Sequence, residues 1–147
     1  MSGGGFAAFR AALEAGRGQI LVRERVADLD TPVGAFLKLT GGAQANAFLL
    51  ESIEGGAARG RYSAIGMAPD LIWRCRNGKA EINRHALSAP HGFVAEAAPA
   101  LDSLRALINE CRMVVPAGLP PIAAGLFGYL GYDLVRLIEK LPASKPD

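Results

Sequence analysis

The chain has 147 residues, of which 50% are hydrophobic and 20% charged, with a net charge of +2 at neutral pH. This composition indicates a single globular domain with a core and excludes a disordered chain. The small net charge gives no electrostatic basis for binding nucleic acid or an anionic membrane, and no hydrophobic run approaches the ~20 residues of a membrane span. The first residues lack the basic and apolar regions of a signal peptide, so we expect a cytoplasmic protein.

The first two predicted elements are a helix and a strand. The helix is predicted over about residues 5–15, followed by the terminating Gly16 and Gly18, because large apolar residues recur there at helical spacing. The strand is predicted over residues 19–26, where apolar and polar side chains alternate. We expect this strand to be half-buried.

A second helix and a strand pair follow. Thr31 as N-cap and Pro32 at the first helical position predict a helix that runs to about Thr40 and stops at Gly41. An apolar run then predicts a buried strand over about residues 47–52 and a partner strand over about 61–66, joined by a glycine-rich connection.

The strongest local signal is the dipeptide Asn77-Gly78. It separates two alternating runs, 70–76 and 79–84. Asn-Gly in this position is typical of a tight antiparallel hairpin. We predict a mobile loop over 84–99, with His85 and His91 exposed on it.

The remaining segments predict a helix, a strand and a helix. Residues 100–113 have an apolar face at helical spacing formed by Leu101, Leu104, Leu107, Ile108 and Cys111. A buried strand is predicted over 122–129, interrupted by glycines, and a helix over 131–140. Hairpin-linked strands combined with separate helices indicate an α+β fold.

Catalytic motifs are not recognisable in the sequence. No nucleophile–base pair, phosphate-binding loop or metal-ligand cluster stands at a known spacing. Cys75 and Cys111 lack metal-type spacing, and we expect two free thiols rather than a disulfide. The residues alone therefore predict no complete active site.

The most informative polar residues are Glu51 and Ser52, which come directly after the apolar run Phe48–Leu50. A carboxylate and a hydroxyl at the end of a buried strand need partners to offset their desolvation. Two hypotheses remain open. Glu51 pairs with Arg61 across the two strands, or the pair of residues binds a small molecule that carries an ammonium group.

Two blocks of sequence carry a family resemblance. Leu49-Leu50-Glu51-Ser52, followed by the run Gly60 to Gly66, resembles the amino-terminal signature of anthranilate synthase component I. The run Ala124 to Arg136 is similar to a second block of the same family, in the same order. The resemblance extends from about Gly18 onward. It implies that residues 1–142 are an amino-terminal regulatory domain and that 143–147 are a linker to a catalytic domain.

The resemblance also implies a function. The full-length family converts chorismate to anthranilate and pyruvate in the first step of tryptophan biosynthesis, a lyase reaction that uses Mg²⁺ and ammonia from a glutamine amidotransferase subunit. In that family the amino-terminal stretch forms part of the feedback site for L-tryptophan. Its counterpart here consists of Leu50, Glu51, Ser52, Ile53 and Arg61. The chorismate and Mg²⁺ residues of the family lie outside this chain, so we expect no cofactor in this segment and no activity from it alone.

Other functions stay open at this point. Within the family they are aminodeoxychorismate synthase component I and other chorismate-using enzymes, such as salicylate or isochorismate synthase. Outside it they are a stand-alone amino-acid-sensing domain and a structural interaction module. The second sequence block is interpreted as a core strand and helix near the junction with the catalytic domain, with no catalytic residue of its own.

Overall fold

The computed structural model describes residues 3–42, 44–51, 62–113 and 115–140. The described part contains four helices and two small antiparallel sheets, which confirms the predicted α+β class. The helices are α1 (Gly3–Glu14), α2 (Pro32–Thr40), α3 (Ala100–Glu110) and α4 (Val135–Ile138). The strands are β1 (Phe48–Glu51), β2 (Ser63–Gly66), β3 (Ile72–Arg76), β4 (Lys79–Asn83) and β5 (Val94–Ala95).

The ends of α1 and α2 follow the predicted stop and start signals. Gly16, just beyond α1, has a φ of 67°. At the start of α2, the backbone N–H of Gly34 donates to Oγ1 of Thr31 at 3.0 Å. Gly41 ends α2 with a φ of 62°. Because glycine has no Cβ, it adopts these left-handed conformations without steric cost, which explains where both helices stop.

The strands β1 and β2 pair as predicted, in a two-stranded antiparallel sheet. The prediction that β1 is buried is wrong, because Phe48 and Leu49 are half-buried and Leu50 and Glu51 are exposed. Phe48 pairs with Gly66 at one end, and Glu51 pairs with Ser63 at the other. Helix α2 packs beside both strands. An isolated two-stranded sheet is only marginally stable in water, so β1 and β2 depend on such neighbours for their position.

The strands β3 and β4 form the predicted hairpin. Asn77 and Gly78 both have positive φ values, 51° and 73°, as a type I′ turn requires. A third strand, β5, pairs with the other side of β4. This strand lies in the segment for which the sequence predicted only a loop, because two residues of strand leave no recognisable alternation.

The core lies between this second sheet and α3. Ala80 and Ile82 of β4 are buried, as are Ala100 and Leu107 of α3. The predicted apolar face of α3 is partly wrong, because Ser103 is buried whereas Ile108 is 46% exposed. Hydrogen bonds explain this burial: Nε1 of Trp73 donates to Oγ of Ser103 at 3.0 Å, and Ser103 donates to Oε2 of Glu96 at 2.9 Å.

Two predicted strands are wrong. Residues 19–26 form no helix or strand, and in 122–129 a 3₁₀ turn, Pro121–Ala123, is followed by irregular chain. Neither stretch pairs with a strand in the described part of the chain. Their apolar side chains are exposed, with Val26 at 88% and Tyr129 at 94%. Alternation predicts only that one face of a strand would be apolar; it does not supply the partner whose N–H and C=O groups complete a ladder.

The segments that remain agree in part with the sequence. The helix predicted over 131–140 is a 3₁₀ turn, Tyr132–Leu134, followed by the single turn α4. His85 and His91 are exposed, and Cys75 and Cys111 are free thiols, as predicted. The predicted domain boundary at 142 and the linker 143–147 lie outside the described residues.

Candidate functional site

The described part of the predicted effector site is the end of β1. Leu50 is 50% exposed and Glu51, the last residue of the strand, is also exposed. Ser52, Ile53 and Arg61 lie outside the described residues. The predicted cross-strand pairing of Glu51 with Arg61 is therefore not tested.

The strand places Leu50 and Glu51 on opposite faces of the β1–β2 sheet. Residues that pair directly across an antiparallel sheet share a face, and successive residues alternate between faces. Leu50 pairs with Ala64, and Phe48 pairs with Gly66, which puts these four residues on one face. Glu51 lies on the other face, opposite Ser63. The first face therefore carries Phe48 and Leu50 opposite small residues of β2, while the second carries the Glu51 carboxylate together with Leu49 and Ile65.

Phe48 connects this sheet to the second sequence block. Its ring stacks on that of Phe127, with 4.9 Å between the ring centroids and 30° between the ring planes. The Phe48 ring lies over Gly66 of β2. A Cβ added at Gly66 would stand 2.1 Å from this ring. The absence of a side chain at position 66 is what lets the ring lie against β2. Phe48 and Phe127 are 79 positions apart in the sequence, so this stack is a long-range contact.

The end of β1 offers a carboxylate acceptor on the sheet face that also carries Leu49 and Ile65. No hydrogen bond or ion pair joins Glu51 to another described residue, and its carboxylate is open to solvent. A carboxylate in this position can accept charge-assisted hydrogen bonds from an ammonium group. Leu50, on the opposite face, offers apolar contact area.

Two arginines at the second sheet, Arg74 and Arg84, are already engaged within the fold. Nε of Arg74 donates to Oε2 of Glu81 at 2.8 Å, and the Arg74 guanidinium lies 3.5 Å from the centroid of the Phe93 ring. Arg84 forms a bidentate ion pair with Glu110, in which Nη1 donates to Oε1 and Nη2 donates to Oε2 at 2.8 Å. The hydrogen bond from Arg84 lowers the pKa of Glu110. The first pair joins β3 to β4 within the second sheet, and the second joins the end of β4 to α3.

An open groove of about 360 Å³ lies at the end of α3. Cys111 and Met113 line one side, and Ala124 to Leu126 line the other. Burial raises the pKa of the Cys111 thiol, which keeps it protonated and poorly nucleophilic near neutral pH. The sequence pattern did not predict this groove, because its two sides come from separate segments.

Across residues 3–42, 44–51, 62–113 and 115–140, no three His, Cys, Asp or Glu side chains are grouped so that they could hold a metal ion. None of the helices in those ranges is long and apolar enough to cross a membrane.

Comparison with known proteins identifies relatives of the whole chain. It is 51% identical over 142 residues to anthranilate synthase component 1 of Cereibacter sphaeroides, a match that covers 97% of this chain and 28% of that protein. The chain is related to one segment of anthranilate synthase component 1. Proteins of the same name from Mycolicibacterium smegmatis and Thermus thermophilus are 38% and 39% identical over 91% and 83% of this chain, and 25% and 24% of their own lengths.

The chain thus spans about a quarter of the length of the curated anthranilate synthase components that it matches, which is consistent with the predicted amino-terminal segment. The relationship confirms the resemblance found in the two sequence blocks and does not favour the other chorismate-using enzymes. No protein-family model matches the chain, and no solved structure matches it.

Proposed function

We propose that this chain is the amino-terminal segment of an anthranilate synthase component 1 and carries part of its feedback site for L-tryptophan. The complete enzyme would convert chorismate to anthranilate and pyruvate in the cytoplasm. The observation that carries this proposal is the 51% identity over 97% of the chain to a protein of that name. Identity at this level extends through both sequence blocks, not through one short motif.

The end of β1 supports the feedback role. A zwitterionic amino acid needs an acceptor for its ammonium group, an apolar surface for its side chain and a donor for its carboxylate. Glu51 supplies an exposed carboxylate, and Leu50 supplies exposed apolar area on the opposite face, so that one ligand reaches both only around the end of β1. Ser52 and Arg61, the residues proposed to complete the polar contacts, together with Ile53, belong to the same site by sequence.

The partners and cofactor of the complete enzyme are part of the proposal. We expect a glutamine amidotransferase subunit, component II, to deliver ammonia, and Mg²⁺ to be required for the reaction on chorismate. We expect the chorismate and Mg²⁺ residues in the rest of the enzyme, outside this segment. Its role is to bind the end product.

The enzymatic proposal is tested with the full-length gene product. Purified with Mg²⁺ and ammonium, it should convert chorismate to anthranilate and pyruvate, and L-tryptophan should inhibit it. The segment of residues 1–147 alone should form no anthranilate. Identification of another product, such as aminodeoxychorismate or salicylate, would assign the protein to a different chorismate-using enzyme.

The role of Glu51 is tested by the substitution Glu51→Gln in the same full-length enzyme. Loss of a charge-assisted contact to an ammonium group costs about 1.5–3 kcal/mol, so the concentration of tryptophan giving half inhibition should rise about 10- to 100-fold. Glu24→Gln is the matched control, since Glu24 is an exposed acid on the segment before α2. If tryptophan inhibits Glu51→Gln and the wild type equally, Glu51 does not bind the ammonium group.

A further inference from the structure

We propose that Phe127 is a positioning residue for the tryptophan site and acts through Phe48. This inference rests on the proposed feedback function of β1. In this arrangement Phe127 does not touch the effector. It fixes the strand that presents Leu50 and Glu51, and thereby sets how tightly L-tryptophan binds.

The first step of the argument is the weak support of β1. It has four residues and pairs only with β2 among the described strands. A two-stranded sheet of this size does not hold its own geometry in water. Contacts made by its side chains must therefore determine where the end of the strand lies.

The second step is the set of contacts that Phe48 makes. Its ring is held between two neighbours: Gly66 of β2, where there is no side chain to displace it, and the Phe127 ring at a centroid distance of 4.9 Å. Phe127 lies in the segment 124–131, which comes near the carboxyl end of the described chain. The stack is thus a long-range contact that fixes β1 from outside its own sheet.

The third step is the distance from the stack to the proposed ligand. Leu50 lies two residues after Phe48 on the same face of β1, a rise of roughly 7 Å along the strand. A rotation or shift of Phe48 is transmitted directly to Leu50 and Glu51, because they belong to the same short strand. Effector affinity should therefore change when the stack is removed, although neither ring contacts the amino acid.

The experiment measures L-tryptophan binding to the full-length protein by calorimetry, with Phe127→Leu as the main variant. An aromatic pair contributes an amount that corresponds to about a two- to tenfold change in affinity, so tryptophan binding should weaken by that factor. Tyr129→Leu is the matched control. Tyr129 lies in the same segment and is 94% exposed, so its removal should leave the affinity unchanged.

A double-mutant cycle distinguishes positioning through Phe48 from an independent effect. If Phe127 acts through Phe48, then Phe48→Leu combined with Phe127→Leu should weaken binding no more than Phe48→Leu alone. Phe127→Tyr keeps the ring and should retain wild-type affinity. If Phe127→Leu fails to fold and Phe127→Tyr folds, the failure is due to loss of the ring. Gly66→Ala, which drives a Cβ into the Phe48 ring, should weaken binding as Phe127→Leu does.

Three outcomes would overturn the inference: unchanged affinity in Phe127→Leu, equal losses in Phe127→Leu and Tyr129→Leu, or additive losses in the double variant. These are separate from failure of the proposed function. If the wild-type protein binds no tryptophan, the feedback role itself is wrong. If the wild type binds and the Phe127 variants bind equally well, only the positioning role is wrong.

Discussion

At the residue scale, Asn83 determines how the chain leaves the β3–β4 hairpin. It is the last residue of β4 and is completely buried. Its Nδ2 donates to the carbonyl of Ala89 at 2.7 Å, and its Oδ1 accepts from the backbone N–H of His85 at 2.9 Å. One side chain thus closes the turn that follows β4 and leads the chain back toward β5.

Replacing Asn83 with alanine should therefore loosen residues 84–93 locally. The substitution removes the two hydrogen bonds that the buried Asn83 side chain makes, each contributing about 0.5–1.5 kcal/mol. Hydrogen exchange of the amides in this segment should accelerate accordingly. Asn109→Ala, at an exposed position of α3, is the control and should leave their exchange unchanged. Equal protection in Asn83→Ala would show that backbone contacts alone hold the turn.

The contact between Arg84 and Glu110 gives a pH-dependent prediction. Because the folded-state pKa of Glu110 is lowered, the contact stabilises the protein above the carboxylate pKa of the unfolded chain. That contribution is lost as the pH falls through the lowered, folded-state value. The melting temperature of Glu110→Gln should therefore lie below that of the wild type near neutral pH and converge with it once the pH has fallen below the lowered pKa of Glu110.

The matched background for this measurement is Arg84→Met. There the Glu110 carboxylate has lost its donor, so the added substitution Glu110→Gln should produce no pH-dependent difference. A difference that persists unchanged in the Arg84→Met background would assign the effect to another group. Both side chains are well exposed, so the contribution is small and sensitive to salt.

These residues also mark the limit of what the sequence predicts at this scale. Glu51 and Ser52 were proposed because they follow the apolar run Phe48–Leu50, which is a local pattern, whereas Leu50 was included through the family resemblance. Asn83 and Ser103 were missed, because a buried polar residue is stabilised by partners such as Ala89 and Trp73 that stand elsewhere in the chain. No spacing rule indicates those partners.

At the scale of single elements, local signals were sufficient to predict a helix start and a tight turn, but not to predict every strand. The N-cap Thr31 and the turn Asn77-Gly78 predicted α2 and the β3–β4 hairpin, because both depend on residues adjacent in sequence. The strands predicted over 19–26 and 122–129 failed, because a strand depends on a partner. In the described part of the chain, neither segment has one.

The turn itself provides a prediction at this scale. Gly78→Ala places a Cβ at a φ of 73°, and the left-handed conformation costs a non-glycine residue about 1–2 kcal/mol. Hydrogen exchange of the β4 amides should become faster. Gly131→Ala is the matched control: Gly131 has a φ of −67°, and a Cβ there would meet nothing within 4 Å. Similar effects of both substitutions would contradict the assignment of the turn.

The whole molecule has a small core for its hydrophobic content. Among the described residues, the fully buried hydrophobic side chains are Ala12, Ala80, Ile82, Ala100 and Leu107, three of them alanines. Large apolar residues are exposed instead on the two unpaired segments, 19–26 and 122–129, including Leu21, Val26, Leu126 and Tyr129. Exposed apolar surface on this scale is typical of a face covered by other protein.

The segment 1–147 produced alone should therefore associate with itself and bind hydrophobic dyes. Analytical ultracentrifugation should show a concentration-dependent increase in mass, and the fluorescence of such a dye should exceed that seen with the full-length protein. The physical reason is that unpaired segments with apolar side chains offer both hydrogen-bonding groups and hydrophobic area. A monomer that binds no dye would show that the two segments are covered within the chain.

The fit of the Phe48 ring over Gly66 has an evolutionary consequence. Positions 48 and 66 share one volume, since a Cβ at 66 would fall 2.1 Å from the ring. Homologous proteins that acquire a larger residue at position 66 should carry a smaller one at position 48, so that the two columns of a deep alignment vary together. The same compensation offers a designer a way to move an aromatic ring from one strand to the other while keeping the sheet intact.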